Sequence, residues 1–202
     1  MGLKHSYTLF APVYDAFMSG VFDSLRQSSL KELQRLPLTN SKVLLSGVGT
    51  GLDLPFLPPG PEYIGFDLTP AMIKKARPRG EHLNISLRLG DAMQLPFEAN
   101  HFDAVVMHLI LAVVPDPVRA LQETQRVLKA GGIVLVLDKF LRPHQAAPLR
   151  RIINPIIKHL ATQTNVVFEE VLSHCEGLNV IDDMPAAANG WFRKIVLQKQ
   201  SK

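Results

Sequence analysis

Two hydrophobic periods take turns along this chain. From Phe22 to Leu36 the apolar residues Phe22, Leu25, Leu30, Leu33 and Leu36 fall on one helical stripe, which Pro37 stops. Lys42 to Ser46 then carries Val43, Leu44 and Leu45 as a short continuous run, the pattern of a strand covered on both faces. Tyr63 to Phe66 repeats that pattern and ends at Asp67, after which Thr69, as N-cap, and Pro70, in the first turn, open a helix to Arg77. Asn84 to Leu89 alternates Ile85, Leu87 and Leu89 with polar neighbours and closes on Gly90-Asp91, and Phe102 to Met107 is another buried run. Asp116-Pro117 starts a helix through Leu128, Gly131-Gly132 end the following turn, and Ile133 to Leu137 is a fifth strand.

This alternation of strand and helix predicts crossover connections and a doubly wound parallel sheet in an α/β fold, with helices on both faces. The last third differs. Ala147 to Ser173 reads as helix interrupted at Pro155, then Leu178 to Asp182 and Trp191 to Leu197 read as strands joined by a Pro/Ala/Asn/Gly segment, a closing antiparallel hairpin. With no internal repeat and no linker, the sequence predicts a single domain over 1–202.

Composition narrows the class. A chain of 202 residues that is 47% hydrophobic and 20% charged can bury one core without staples. Cys175 is the lone cysteine, so neither an intramolecular disulfide nor a cysteine-rich zinc site can form, no metal site is expected, and a reducing, cytoplasmic compartment is the simple reading. Met1 to Phe10 lacks a basic region followed by an apolar run, and nothing approaches the roughly 20 apolar residues of a membrane span. A net charge of +4 suits an anionic substrate or surface, and equally an ordinary solvated enzyme. Basic residues are spread out rather than interleaved with aromatics, so no nucleic acid partner is expected.

Candidate chemistry begins straight after the first strand, in Ser46-Gly47-Val48-Gly49-Thr50-Gly51. Three glycines at alternate positions let backbone approach a ligand closely, although a tight turn would also use them. Asp67 closes the second strand and Asp91 the third, which places both carboxylates at the same sheet edge as the glycines. The first can accept both ribose hydroxyls and the second the exocyclic amine of adenine, a combination that describes an adenosine pocket. A dinucleotide loop spaces its third glycine one residue later, where Leu52 stands, and no Gly-Lys-Ser/Thr follows to make a phosphate loop.

On these residues the stretch from Val43 to Phe140 resembles the class I S-adenosylmethionine-dependent methyltransferases. Ser46 to Gly51 is similar to their first motif, Gly65 to Met72 to their ribose motif, and Gly90 to Phe97 to their adenine motif. Phe102-Asp103-Ala104-Val105 and Arg126 to Gly132 continue the order. The closest resemblance is to the branch of quinone-ring C-methyltransferases and bacterial phosphatidylethanolamine N-methyltransferases. It implies a Rossmann-like sheet, mostly parallel with a C-terminal antiparallel hairpin. It also implies a cofactor-binding core over 42–140, C-terminal helices and hairpin over 141–202, and a cap over 1–20 containing Ala11-Pro12-Val13-Tyr14-Asp15. The cofactor residues implied are Ser46, Gly47, Gly49, Thr50, Gly51, Asp67, Leu68, Met72, Asp91, Ala92 and Met93, and the acceptor is a small molecule or a lipid. Ser46 departs from the acidic residue usual there; its hydroxyl offers a neutral hydrogen bond, and water or another side chain is the simplest replacement.

Methyl transfer needs alignment first and a base second. His108, just past the fourth strand, is the candidate base or acceptor-orienting group; the competing reading is a partly buried histidine satisfied by backbone. Asp138 and Lys139 either face the same crevice or form a solvated pair. Tyr7, Phe10, Tyr14, Phe17 and Met18 give the N-terminal segment a surface able to close over cofactor and acceptor, with Tyr14 facing the sulfonium, while core packing is the alternative for Phe10 and Phe17. Arg150, Arg151 and Lys158 among Ile152, Ile153, Ile156 and Ile157 suit either peripheral contact with an anionic membrane or, preferred, a helix packed with its charges outward.

Overall fold

The structure, a computed structural model, describes residues 21–37, 39–142, 166–187 and 190–201. The N-terminal segment with Tyr14, and Arg150, Arg151 and Lys158, lie outside the described residues, as does the interruption expected at Pro155.

Helix α1 (Val21–Leu30) runs on as a single 3-10 segment, Lys31–Arg35, and leads into β1 (Lys42–Ser46). A short 3-10 turn at Leu54–Phe56 precedes β2 (Glu62–Asp67), α2 (Pro70–Arg79), β3 (Ile85–Leu89) and β4 (Phe102–His108). Then come α3 (Pro117–Val127), β5 (Leu128–Lys139), α4 (Phe168–Leu172), β6 (Leu178–Ala187) and β7 (Phe192–Lys199). They form one sheet in the order β3-β2-β1-β4-β5-β7-β6, with the first five strands parallel and β7 antiparallel to both of its neighbours.

The continuous apolar runs read from the sequence are buried because both faces are covered. On one face Leu44, Phe66, Val105, Met107, Val134 and Val136 pack with Ala120 and Leu121 of α3 and Phe168 and Val171 of α4. On the other, Val43, Leu45, Tyr63, Val106 and Leu135 pack with Leu30 of α1, Leu33 of the 3-10 segment, and Ile73 and Ala76 of α2. Chain order reverses between β1 and β4, so their carboxyl ends part and leave a crevice there.

Two local expectations change. β5 begins at Leu128, directly after α3, because the buried Leu128 already pairs with Phe102; the glycine pair lies inside the strand, where the register slips before Ala104 meets Ile133. Thr69 occupies the N-cap of α2 without a side-chain cap, since its hydroxyl is turned to the Asp67 carboxylate, which also takes its N–H at 2.8 Å. Asp116 does cap α3, accepting from Arg119 N at 2.9 Å. No helix among the described residues is long and apolar enough to cross a membrane.

Candidate active site

β1 ends on Ser46, which is 1% exposed, and its Oγ finds no hydrogen-bond partner among the described residues. The chain then turns under the end of β2: the N–H groups of Gly47 and Val48 both donate to Phe66 O, at 2.9 and 2.8 Å. Gly47 has φ +80, and a Cβ on it would lie 2.2 Å from Ile110 Cδ1. Gly49 has φ +55 and faces open space, with nothing within 4 Å of where a Cβ would stand. Gly51 instead packs downward, its would-be Cβ 2.9 Å from Ala76 and Leu54. The first two glycines therefore shape a cradle and the third seats the loop on α2. Thr50 is buried, and its carbonyl accepts from Arg79 Nη1 at 2.6 Å.

Asp67 stands across from the cradle. Its Oδ2 accepts from Gly49 N at 3.0 Å and its Oδ1 from Thr69 N at 2.8 Å. The carboxylate also accepts from the Thr69 side chain and keeps lone-pair capacity for a further donor. Burial pushes the carboxyl above its ordinary range, opposed by the bonds from Thr69 and Gly49. Gly90 N donates to Asp67 O at 3.0 Å, which brings Asp91 alongside, its Oδ1 accepting from Met93 N at 2.8 Å. Between them Leu68 is 44% exposed, an apolar side chain left open at the rim, while Ala92 and Met93 pack toward Phe66. Met72, expected to reach a ligand, is enclosed in the first turn of α2.

The loop after β3 is held from α3. Leu95 N donates to Glu123 Oε2 at 2.8 Å, and Arg126 donates to Phe97 O and Leu95 O at 2.7 and 2.8 Å while pairing with Glu123. The structure thus gathers Ser46, Gly47, Gly49, Asp67, Leu68, Asp91, Ala92 and Met93 along one sheet edge. An orphaned Ser46 hydroxyl, an open cradle at Gly49 and two carboxylates in line fit an adenosine-bearing cofactor with an amino acid end.

His108 does not stand free at the crevice edge. Its side chain is fully buried, with Nδ1 2.9 Å from Asp53 Oδ1 and Nε2 3.0 Å from Ser29 Oγ. A carboxylate only accepts, so Nδ1 carries the proton toward Asp53, and in the neutral ring Nε2 accepts from Ser29. Arg26 Nη1 donates to the same Asp53 oxygen at 2.9 Å. Burial opposes ionisation of Asp53, but His108 and Arg26 outweigh it and hold the carboxyl well below the usual range. Ser29, His108 and Asp53 share the connectivity of a hydrolase triad, yet Ser29 is fully enclosed and no acyl group can reach it. This histidine is satisfied by side chains rather than by backbone.

Sequence reading missed Arg26, Ser29 and Asp53. The signal was there: Phe22, Arg26, Ser29 and Leu33 lie at i, i+4, i+7 and i+11, which puts two polar residues on the buried face of a helix, where each needs a partner. Asp138, only 1% exposed, faces neither solvent nor an open crevice: its Oδ2 accepts from Ala112 N at 3.0 Å and its Oδ1 from Lys139 N at 2.8 Å. Burial lowers the Lys139 ammonium, and Asp138 beside it raises it in part.

Residues 44–136 match the family model described as a methyltransferase domain. The chain is 28% identical to the phosphatidylethanolamine N-methyltransferase of Cereibacter sphaeroides over 98% of both chains. It is 43% identical to the demethylmenaquinone methyltransferase of Staphylococcus carnosus, over 40% of this chain and 34% of that one. Among solved structures, a SAM-dependent methyltransferase, possible histamine N-methyltransferase, from Thermotoga maritima superposes with a TM-score of 0.70 at 20% identity, covering 99% of this chain and 100% of its own.

Proposed function

We propose that this chain is an S-adenosylmethionine-dependent methyltransferase and that it methylates the amine of a phospholipid headgroup. In this reading Asp67 takes the ribose hydroxyls and Asp91 with Ala92 the adenine. Leu68 and Met93 wall the ring, while Ser46, Gly47 and Gly49 hold the amino acid end. Thr50 and Gly51 act from beneath the loop. The observation that carries the cofactor assignment is the bond from Gly49 N to Asp67 Oδ2, 3.0 Å, beside an open face at Gly49.

When bound, S-adenosylmethionine supplies an electrophilic methyl carbon; transfer to a nucleophile breaks the carbon–sulfur bond and leaves S-adenosylhomocysteine. The protein's part is to align the acceptor and exclude water, which together can lower the barrier by several kcal/mol, about 7 or more in well-oriented cases. An amine arriving neutral attacks without a base and loses its proton to water afterwards. That chemistry suits a site whose histidine spends both ring nitrogens on Asp53 and Ser29. A phenol or ring carbon would require a proton acceptor during the reaction.

The relatives point the same way. Likeness to the phospholipid enzyme extends over nearly the whole chain, whereas likeness to the quinone enzyme is confined to 81 residues. That stretch is short enough to be shared cofactor-binding core alone. Phospholipid acceptors also give a use to the basic, apolar sequence around Arg150, Arg151 and Lys158, as a peripheral contact with the cytoplasmic membrane surface. The test is incubation with methyl-labelled S-adenosylmethionine and mixed micelles of phosphatidylethanolamine, followed by chromatography of the lipids. Label in monomethylated lipid supports the proposal. Label only in an added demethylmenaquinol overturns it in favour of ring methylation.

A further inference from the structure

The turn after β4 is built differently from the rest of the crevice. Residues 109–114 are Leu-Ile-Leu-Ala-Val-Val, so no side chain of the turn can hydrogen-bond. It nevertheless holds a demanding shape. Leu109 has φ +57, a left-handed conformation that costs a residue with a branched side chain of order 1 kcal/mol or more. Its N–H donates to Leu137 O at 2.8 Å. Ile110 follows and lies over Gly47, its Cδ1 at 2.2 Å from a would-be Cβ, so turn and glycine loop interlock. Ile110 O then accepts from Val113 N and Val114 N at 3.0 and 3.1 Å.

What fixes this apolar turn is a charge from another strand. Asp138, next to last in β5, presents Oδ2 to Ala112 N at 3.0 Å and accepts also from the backbone of Leu111. Enclosing a carboxylate is costly unless its oxygens are bonded. Here they bond to the turn and to Lys139 N, and to nothing a substrate would use. We propose that Asp138 is a positioning residue for cofactor binding: by gripping the backbone of the turn it holds Ile110 against Gly47 and so sets the wall at the amino acid end of the cofactor. This rests on the assignment of the glycine loop to that end.

The grip depends on ionisation. Burial pushes the Asp138 carboxyl up to about 6, partly offset by its backbone bonds and by Lys139. Once protonated, one oxygen becomes a donor and faces amide donors. Three other titratable groups lie nearby. Arg193, cross-strand on β7, pairs with Glu169 of α4 and Asp183 of β6. His108, at the end of β4 on the other sheet face, is taken by Asp53 and Ser29, and Lys139 follows Asp138 along β5. The turn itself carries no titratable side chain.

The test is calorimetric titration of the full chain with S-adenosylhomocysteine between pH 5 and pH 8, which needs no acceptor. The wild type should bind about tenfold more weakly at pH 5 than at pH 7.5, the loss of roughly one charged hydrogen bond. Asp138→Asn should bind weakly at both, with that step gone. Ile110→Ala should bind weakly and keep the step. A purely structural carboxylate would shift the melting temperature of Asp138→Asn but leave its affinity and pH step as in the wild type, and that result overturns the proposal. Should Asp138→Asn fail to melt cooperatively, wild-type affinity in Ile110→Ala overturns it equally. If the wild type itself binds no S-adenosylhomocysteine at pH 7.5, the cofactor assignment falls and the proposal with it.

Discussion

The backbone N–H of Gly49 donates to the carboxylate of Asp67 across 3.0 Å, so the glycine loop and the end of β2 are one unit rather than two neighbouring motifs. If Asp67 binds the ribose as proposed, removing the carboxylate would do two things: take away that acceptor and free the loop that would cradle the rest of the cofactor.

Asp67→Ala is accordingly expected to weaken S-adenosylhomocysteine binding more than Asp91→Ala. Asp91 holds only its own turn, through Met93 N at 2.8 Å, and adenine keeps apolar walls. Each charged hydrogen bond lost should cost roughly 1.5 to 3 kcal/mol. Calorimetry decides the order, and equal affinities for wild type and Asp67→Ala would remove Asp67 from the site.

Gly49→Ala and Gly47→Ala should separate binding from folding. Both positions have positive φ, but the space before Gly49 is open whereas Gly47 meets Ile110. The first variant should keep most of its stability, losing about 1 kcal/mol to backbone strain, and lose affinity sharply. The second should melt several degrees lower even without ligand, with overpacking of roughly 1 to 3 kcal/mol. Paired melting curves and titrations check both outcomes.

His108→Ala should behave as a folding variant. It leaves Ser29 Oγ without its partner and Asp53 with Arg26 alone, deep in the layer between α1 and the sheet. A loss of about 3 kcal/mol is expected in urea unfolding. A fully stable but inactive His108→Ala protein would restore the histidine to the chemistry.

Two buried carboxylates should pull acid stability in opposite directions. Asp138 is raised to about 6, so its favourable contribution is complete below about pH 4 and is lost as pH rises through 6. The melting-temperature advantage of wild type over Asp138→Asn should be larger at pH 4.5 than at pH 7.5, by on the order of 2 kcal/mol in stability. Asp53 is depressed, so its contribution is present above the ordinary carboxylate range and disappears only as pH falls through its lowered value. Asp53→Asn should cost most near neutrality. A constant difference across pH for either variant would show that its ionisation is uncoupled from folding.

Much of this molecule could be read from its sequence, and the parts that could not share a cause. Strands such as Val43-Leu44-Leu45 are legible because a strand buried on both faces leaves an unbroken apolar run. Gly49, Asp67 and Asp91 are legible because the ends of parallel strands meet at one edge whatever the side chains between them do. Long-range polar pairings are different. Nothing local joins His108 to Asp53, 55 positions earlier, or Asp138 to Ala112, 26 positions earlier, so both residues read as crevice chemistry until their partners are seen. The early start of β5 was hidden by its glycine pair, which reads as a turn unless the pairing of Leu128 with Phe102 is known.

Reversal of the last strand also decides how the molecule can be handled. Because β7 runs against β5, Phe192 arrives beside Lys139 at the crevice edge, and the chain leaves the sheet at the far edge. There Lys199 Nζ donates to Gln125 O and Leu128 O at 2.8 and 2.7 Å. An affinity handle or fluorophore joined after this point would emerge behind the sheet, away from cofactor and acceptor alike. Immobilised by that end, the enzyme would turn its open side outward, toward vesicles flowing past it.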